Sequence, residues 1–151
     1  MNCPACSKTL TQKIASGVTL DVCTSGCGGI WFDSGEFEKF DEERETAGVE
    51  ILRPVRNANT AIDRNRARAC PKCTSGNLKK KFYDTQYELQ IDQCPLCSGI
   101  FLDLGELETI REQNQSAEER KRVIADFYDR AKSENEHANK GLKALLGLVF
   151  K

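Results

Sequence analysis

Cys27-Gly-Gly-Ile-Trp-Phe-Asp-Ser-Gly-Glu-Phe-Glu-Lys-Phe40 recurs without a gap as Cys97-Ser-Gly-Ile-Phe-Leu-Asp-Leu-Gly-Glu-Leu-Glu-Thr-Ile110. Upstream, Cys3-Pro-Ala-Cys6 matches Cys70-Pro-Lys-Cys73, and Asp21-Val-Cys23 matches Asp92-Gln-Cys94. The chain is therefore a duplicated unit. All eight of its cysteines fall into two quartets, Cys3/Cys6/Cys23/Cys27 and Cys70/Cys73/Cys94/Cys97. Two close pairs about twenty residues apart suit a tetrahedral ion. Each repeat unit spans roughly 40 residues, near the size at which a hydrophobic core alone stops holding a fold. Structural zinc contributes about 10–16 kcal/mol near neutral pH.

A disulfide framework competes with this reading, but it requires an oxidising compartment. The opening MNCPAC has neither the basic nor the apolar region of a secretory signal. The longest apolar run, Ala144 to Phe150, is far short of the ~20 residues of a membrane span. The expectation is a cytoplasmic chain without a transmembrane segment. A thioredoxin-like site fits four ribbon-ordered pairs poorly, and iron or an iron–sulfur cluster remains the alternative to zinc. Two structural Zn2+ ions, four cysteines each, are the expected cofactors.

Between the pairs, period-2 patterns predict hairpins. Leu10–Ala15 and Val18–Cys23 flank Ser16-Gly17; Leu78–Tyr83 and Gln86–Asp92 flank Asp84-Thr85, with Tyr87, Leu89 and Ile91 on the dry side. Asp33/Glu36 and Asp103/Glu106 stand at capping-box spacing. Phe32/Phe37 and Leu102/Leu107 stand at the spacing of a hydrophobic staple. Each unit thus predicts a hairpin followed by a short helix. Residues 46–69 form a basic connection, with helix conceivable over Ala58–Arg68. Ser116 opens a further helix over 116–136, with Val123, Ile124, Phe127, Tyr128 and Ala131 as its apolar stripe. Gly141 is expected to interrupt that helix before Leu142, Leu145, Leu146, Val149 and Phe150. The fold class is a small metal-stabilised α+β protein. Its parts are a first zinc ribbon (1–45), a basic linker (46–69), a second ribbon (70–115) and a helical tail (116–151).

The shared pattern is Cys-Pro-x-Cys, an Asp two before the third Cys, then Cys-x-Gly-Ile-aromatic-x-Asp-x-Gly-Glu. It resembles the transcription factor IIB-type zinc ribbon of small bacterial proteins, here in tandem over Cys3–Phe40 and Cys70–Ile110. The resemblance implies a ribbon with a four-cysteine site in each unit; it does not imply transcription. The first unit departs from the second by one residue, Thr24-Ser25-Gly26 replacing Pro95-Leu96. This predicts a wider, looser first site, with Gly26 supplying an unusual backbone angle.

Formal charge is −1. Eight thiolates and two Zn2+ make the loaded protein about −5, which disfavours blanket nucleic-acid affinity. Residues 33–50 carry −6 and residues 53–81 carry +8. Arg64, Arg66, Arg68, Lys79, Lys80 and Lys81 are the candidate phosphate contacts. Strand alternation splits Lys79 and Lys81 from Lys80. The carboxylate pairs are explained by capping, Trp31 and Phe101 by core packing, and His137 as a solvated residue. No catalytic constellation is evident, and all-thiolate sites leave no open coordination position. The expected role is non-enzymatic: a protein-interaction adaptor engaging a protein partner or a second copy through the tail. Nucleic-acid binding through 53–81 is the alternative.

Overall fold

The computed structural model describes residues 1–15, 17–42, 57, 59–62, 66–73, 75–84, 86, 89–113 and 116–149. The first hairpin pairs β1 (Thr11–Ala15) with β2 (Val18–Val22), from Thr11↔Val22 to Ala15↔Val18. Gly17, at φ 76°, takes the left-handed backbone that the tight turn requires. The second hairpin pairs β4 (Lys79–Asp84) with β5 (Leu89–Gln93). Its register slips between Phe82↔Gln90 and Asp84↔Leu89, a bulge. The bulge breaks simple alternation: Phe82 is exposed, whereas Tyr83 and Asp84 are both buried. Ile91 is buried and Leu89 packs against the core as the pattern predicts; Tyr87 lies outside the described residues.

Each unit adds a third strand that the sequence reading did not anticipate, β3 (Ile30–Phe32) and β6 (Ile100–Leu102). Three residues are too few to display a period. β3 pairs with β2 and β6 with β5. β3 and β6 also pair antiparallel with each other, in the register Ile30↔Leu102, Trp31↔Phe101, Phe32↔Ile100. Since Trp31 and Phe101 are equivalent in the repeat, this register places a pseudo-two-fold axis between them. The result is one six-stranded sheet, β1-β2-β3-β6-β5-β4, not two separate ribbons.

The sheet sorts its side chains by face. Ile30, Phe32, Ile100 and Leu102 join Leu20, Ile91 and Tyr83 under the helices. Trp31 and Phe101 join the cysteines of both quartets in a second cluster. At the seam each aromatic lies over a glycine of the other unit. A Cβ on Gly99 would stand 2.2 Å from Trp31 Cζ2, and one on Gly29 would stand 2.3 Å from Phe101 Cζ.

The helices α1 (Glu36–Glu42), α2 (Glu106–Gln113) and α3 (Ala117–Val149) follow the capping signals. Glu36 and Glu106 reach back to the backbone N–H groups of Asp33 and Asp103, at 2.7 and 2.8 Å. The staples close as well: the Phe32 and Phe37 rings meet edge to face at 5.1 Å between centroids, and Leu102 and Leu107 are both buried. Ser116 caps α3 by accepting the N–H of Glu119 at 3.1 Å.

α3 is not interrupted at Gly141; it runs unbroken to Val149. One helical glycine costs about 1 kcal/mol, too little to end a helix whose neighbours are Lys, Leu and Ala. Ile124, Phe127 and Ala131 of α3 are buried, the first two in the cluster that holds Phe37 and Phe40. Arg130 donates to the carbonyls of Phe82 and Tyr83, both at 2.9 Å, where the bulge leaves the edge strand open. Lys81 pairs with Glu134.

The linker is described only in part. Asn57 donates its N–H to the carbonyl of Gly26 at 3.0 Å. The described residues 59–62 and 66–69 are not helical.

Candidate metal centres

Four short loops bring the cysteines together. The N–H of Cys3 donates to Lys8 O (2.8 Å) and that of Cys70 to Gly76 O (2.7 Å). Cys23 and Cys94 donate to the carbonyls of Gly29 and Gly99, at 2.9 and 2.8 Å. These bonds turn the backbone so that four Sγ atoms converge. Gly28 and its counterpart Ser98 adopt positive φ, 79° and 58°, to make the second turn of each quartet.

All four Sγ atoms of each quartet lie within 4.8 Å of one another. Neighbouring pairs stand at 3.4 Å (Cys3–Cys27), 3.4 Å (Cys6–Cys23), 3.7 Å (Cys70–Cys97) and 3.9 Å (Cys73–Cys94). A tetrahedral site with Zn–S bonds of about 2.3 Å has edges near 3.8 Å. A disulfide needs about 2.05 Å, and all eight thiols are free. The disulfide reading is therefore excluded.

The electrostatics agree with an ion. The contact with Cys27 pushes the Cys3 thiol far up, while accepting that same hydrogen bond brings Cys27 down to about 5. Burial pushes Cys23 up to about 11, and raises Cys70 and Cys97. Burial acts upward on Cys94 too, but the N–H groups of Cys97 and Leu96, together with the thiol contacts to Cys70 and Cys97, outweigh it and leave that thiol lowered. Each buried quartet thus holds some of its protons tightly. Four adjacent thiolates need a divalent cation to offset their charge, and four sulfurs are the donor set zinc prefers. The two quartets hold two structural Zn2+ ions.

The first site is not looser. Its Cys3–Cys27 and Cys6–Cys23 sulfur pairs are closer than the equivalent Cys70–Cys97 and Cys73–Cys94 pairs of the second. Gly26 is required for another reason than the one expected: its φ is not positive. A Cβ there would stand 2.8 Å from both Cys23 Sγ and Cys6 Sγ. The glycine admits the sulfurs.

A family model described as transcription factor zinc-finger, the TFIIB-type zinc ribbon, matches residues 2–43 and 69–113. The chain belongs to this zinc-ribbon family. Comparisons with curated proteins and with solved structures returned no match.

Around the zinc-ribbon sites the basic residues sort differently from the sequence expectation. Arg68 is not a surface phosphate contact. It is 6% exposed, and its guanidinium bonds Asp92 at 2.5 Å and Asp103 at 2.9 Å while lying over the Phe101 ring. Burial disfavours its charge, but the two carboxylates outweigh that and hold its pKa above the usual value. Lys80 pairs with Asp92 at 3.5 Å and Lys81 with Glu134, on opposite sides of β4 as alternation requires. Lys79 and Arg66 are exposed; Arg64 lies outside the described residues.

Across the seam, Lys72 of the second unit pairs with Asp33 of the first, which also accepts the Trp31 indole N–H at 2.8 Å. The capping Asp side chains therefore face the seam or Arg68, while only their partner glutamates cap. The repeat did signal these positions, because Asp21/Asp92 and Asp33/Asp103 recur. Their partners, Arg68 and Lys72, have no counterpart in the first unit and were legible only in three dimensions. Trp31 and Phe101 are fully buried, so neither is a stacking platform. His137 is exposed, its ring nitrogen 2.7 Å from Ser133 O.

Proposed function

We propose that this zinc-binding protein acts as a non-enzymatic adaptor that presents rigid ribbon surfaces to a protein partner. The fate of the basic stretch carries the reading. Among the described residues of 53–81, Arg68 is buried between two aspartates and Lys72, Lys80 and Lys81 answer acids of the same chain. Charge already balanced within the fold releases few counterions on meeting phosphates. The second unit meanwhile exposes Leu96 at its zinc turn and Leu104 ahead of α2, where the first unit carries Ser25-Gly26 and Ser34. Ile14 stands 69% exposed on the edge strand β1. Apolar side chains on metal-braced turns suit protein contact better than phosphate contact.

The test pairs two measurements. Affinity purification with a nuclease-treated arm should retain the same partners, and replacing Leu96 and Leu104 by Ser should release them. Short DNA and RNA duplexes and single strands titrated across a salt series should show weak, sequence-independent binding. A steep fall of log K with log salt, flattened by Arg66→Glu and Lys79→Glu, would establish nucleic-acid binding instead.

A further inference from the structure

The two zinc-ribbon sites are equivalent in the repeat but not in shelter. In the first, Cys3, Cys23 and Cys27 are buried and only Cys6 is half-buried. In the second, Cys70 and Cys94 are buried, whereas Cys73 and Cys97 are both half-buried. Cys6 and Cys73 are counterparts, so the difference lies at the fourth ligand: Cys27 is 1% exposed and Cys97 is half-buried. The surroundings of each turn supply the cause. Asn57 donates its N–H to the carbonyl of Gly26, the residue just before Cys27, and the N–H of buried Thr60 returns to Asn57 O at 2.9 Å. A piece of the linker thus lies against the first turn. The residue just before Cys97 is Leu96, 65% exposed, so the second turn projects into solvent. The Cys70–Cys97 and Cys73–Cys94 sulfurs also stand farther apart, at 3.7 and 3.9 Å, than the 3.4 Å of both equivalent pairs.

The second site also supports the seam. Trp31 packs on Gly99, two residues beyond Cys97, and the Gly99 carbonyl accepts the Cys94 N–H. Lys72, between Cys70 and Cys73, pairs with Asp33, which holds the Trp31 indole N–H. Both turns of the second site therefore reach the surroundings of one side chain of the first unit.

Oxidants select thiolates that are accessible and spare enclosed ones. We propose that Cys97 is a peroxide-modification site through which the second zinc centre, and not the first, governs the seam between the ribbons. The Cys97 thiolate attacks one oxygen of hydrogen peroxide; the O–O bond breaks and hydroxide departs, leaving a sulfenic acid at Cys97. The Cys70 thiolate, its sulfur 3.7 Å away, then attacks that sulfur, forms a disulfide and displaces a second hydroxide. The two sulfurs lose two electrons, the peroxide gains them, and two solvent protons turn the hydroxides into water. Two remaining thiolates are too few to retain the ion. The turns of the second site relax, and Trp31 loses the Gly99 backbone and the Lys72-paired Asp33 together.

Peroxide treatment of the reduced, two-zinc full chain tests this, with a chromogenic chelator reading released zinc. Release is expected in two phases of one equivalent each, the second at least about tenfold slower. A cyclic 1,3-dione, which traps sulfenic acids, should label Cys97 first. In a parallel run without the dione, peptide mapping at the end of the first phase should find a Cys70–Cys97 disulfide with Cys3, Cys6, Cys23 and Cys27 still reduced. Trp31 emission should shift to the red with the first equivalent and recover on adding dithiothreitol and zinc. Cys97→His keeps a donor set that zinc accepts and should slow the first phase by about fivefold or more. Should that variant load only one zinc, the label and the map of the parent decide. The proposal is overturned if both ions leave at one rate, or if the dione first labels any other cysteine. It is likewise overturned if Trp31 emission does not move while the second site empties.

Discussion

Gly99→Ala isolates the seam between the two ribbons. The added methyl would stand 2.2 Å from Trp31 Cζ2, 2.6 Å from Cη2 and 3.1 Å from Cε2, where ordinary carbon contacts are about 3.5–4.0 Å. The indole has little room to retreat: it is fully buried, packs in the cluster that holds Phe101, and is held at Nε1 by Asp33 at 2.8 Å. Over-packing of this kind costs about 1–3 kcal/mol, and a rigid ring against sheet backbone belongs at the upper end. With a urea slope of about 2 kcal/mol/M, the midpoint should fall by about 1–1.5 M. Trp31 is the sole tryptophan, so its emission reads the seam directly and should shift to the red in the native baseline. The sign is decisive. Gly99 does not occupy the left-handed region, and an unhindered Gly→Ala change stabilises by about 0.4–1 kcal/mol through the unfolded chain. A midpoint equal to or above that of the parent, with unchanged emission, would refute the packing of Trp31 against Gly99.

Arg68→Met should cost about 3–5 kcal/mol, since among the described residues it strands Asp92 and Asp103 with only Lys80 nearby; Arg68→Lys, lacking the fork, should recover less than half, both read from urea midpoints. Cys94→Ser should leave one zinc per chain by elemental analysis. It should also lower the midpoint of Trp31 emission, because that residue of the first unit lies across β3–β6 from the second. Burial pushes Glu106 up to about 7 from 4.5. A carboxyl raised by folding stabilises below its unfolded pKa and loses that contribution as pH rises through its folded pKa. Relative to the parent, Glu106→Gln, which can still accept the Asp103 N–H, should therefore gain stability between about pH 4.5 and 7 and level off above. A difference that shrinks with rising pH would contradict the burial of this group.

Much of the local structure was legible in the chain itself. The duplication, both quartets, the first hairpin turn and the caps at Glu36, Glu106 and Ser116 depend on residues close in sequence, whose spacing carries the geometry; the second hairpin instead closes between Asp84 and Leu89, not at Asp84-Thr85. The bulge at Tyr83 was not legible, because it answers to Phe37 and Phe127, ring neighbours from α1 and α3. The basic stretch misled for a related reason. Arg68 looks like a solvent charge until β5 and the residue after β6 place Asp92 and Asp103 on either side of it.

The residues alone determined that two thiolate-bound ions brace two copies of one small unit, since ligand type and spacing are local properties. Whether those copies would hang apart or join was decided in three dimensions. Neither three-residue strand, β3 nor β6, announces a partner. They meet because burying Trp31 and Phe101 against opposing glycines completes one sheet and removes two exposed edges.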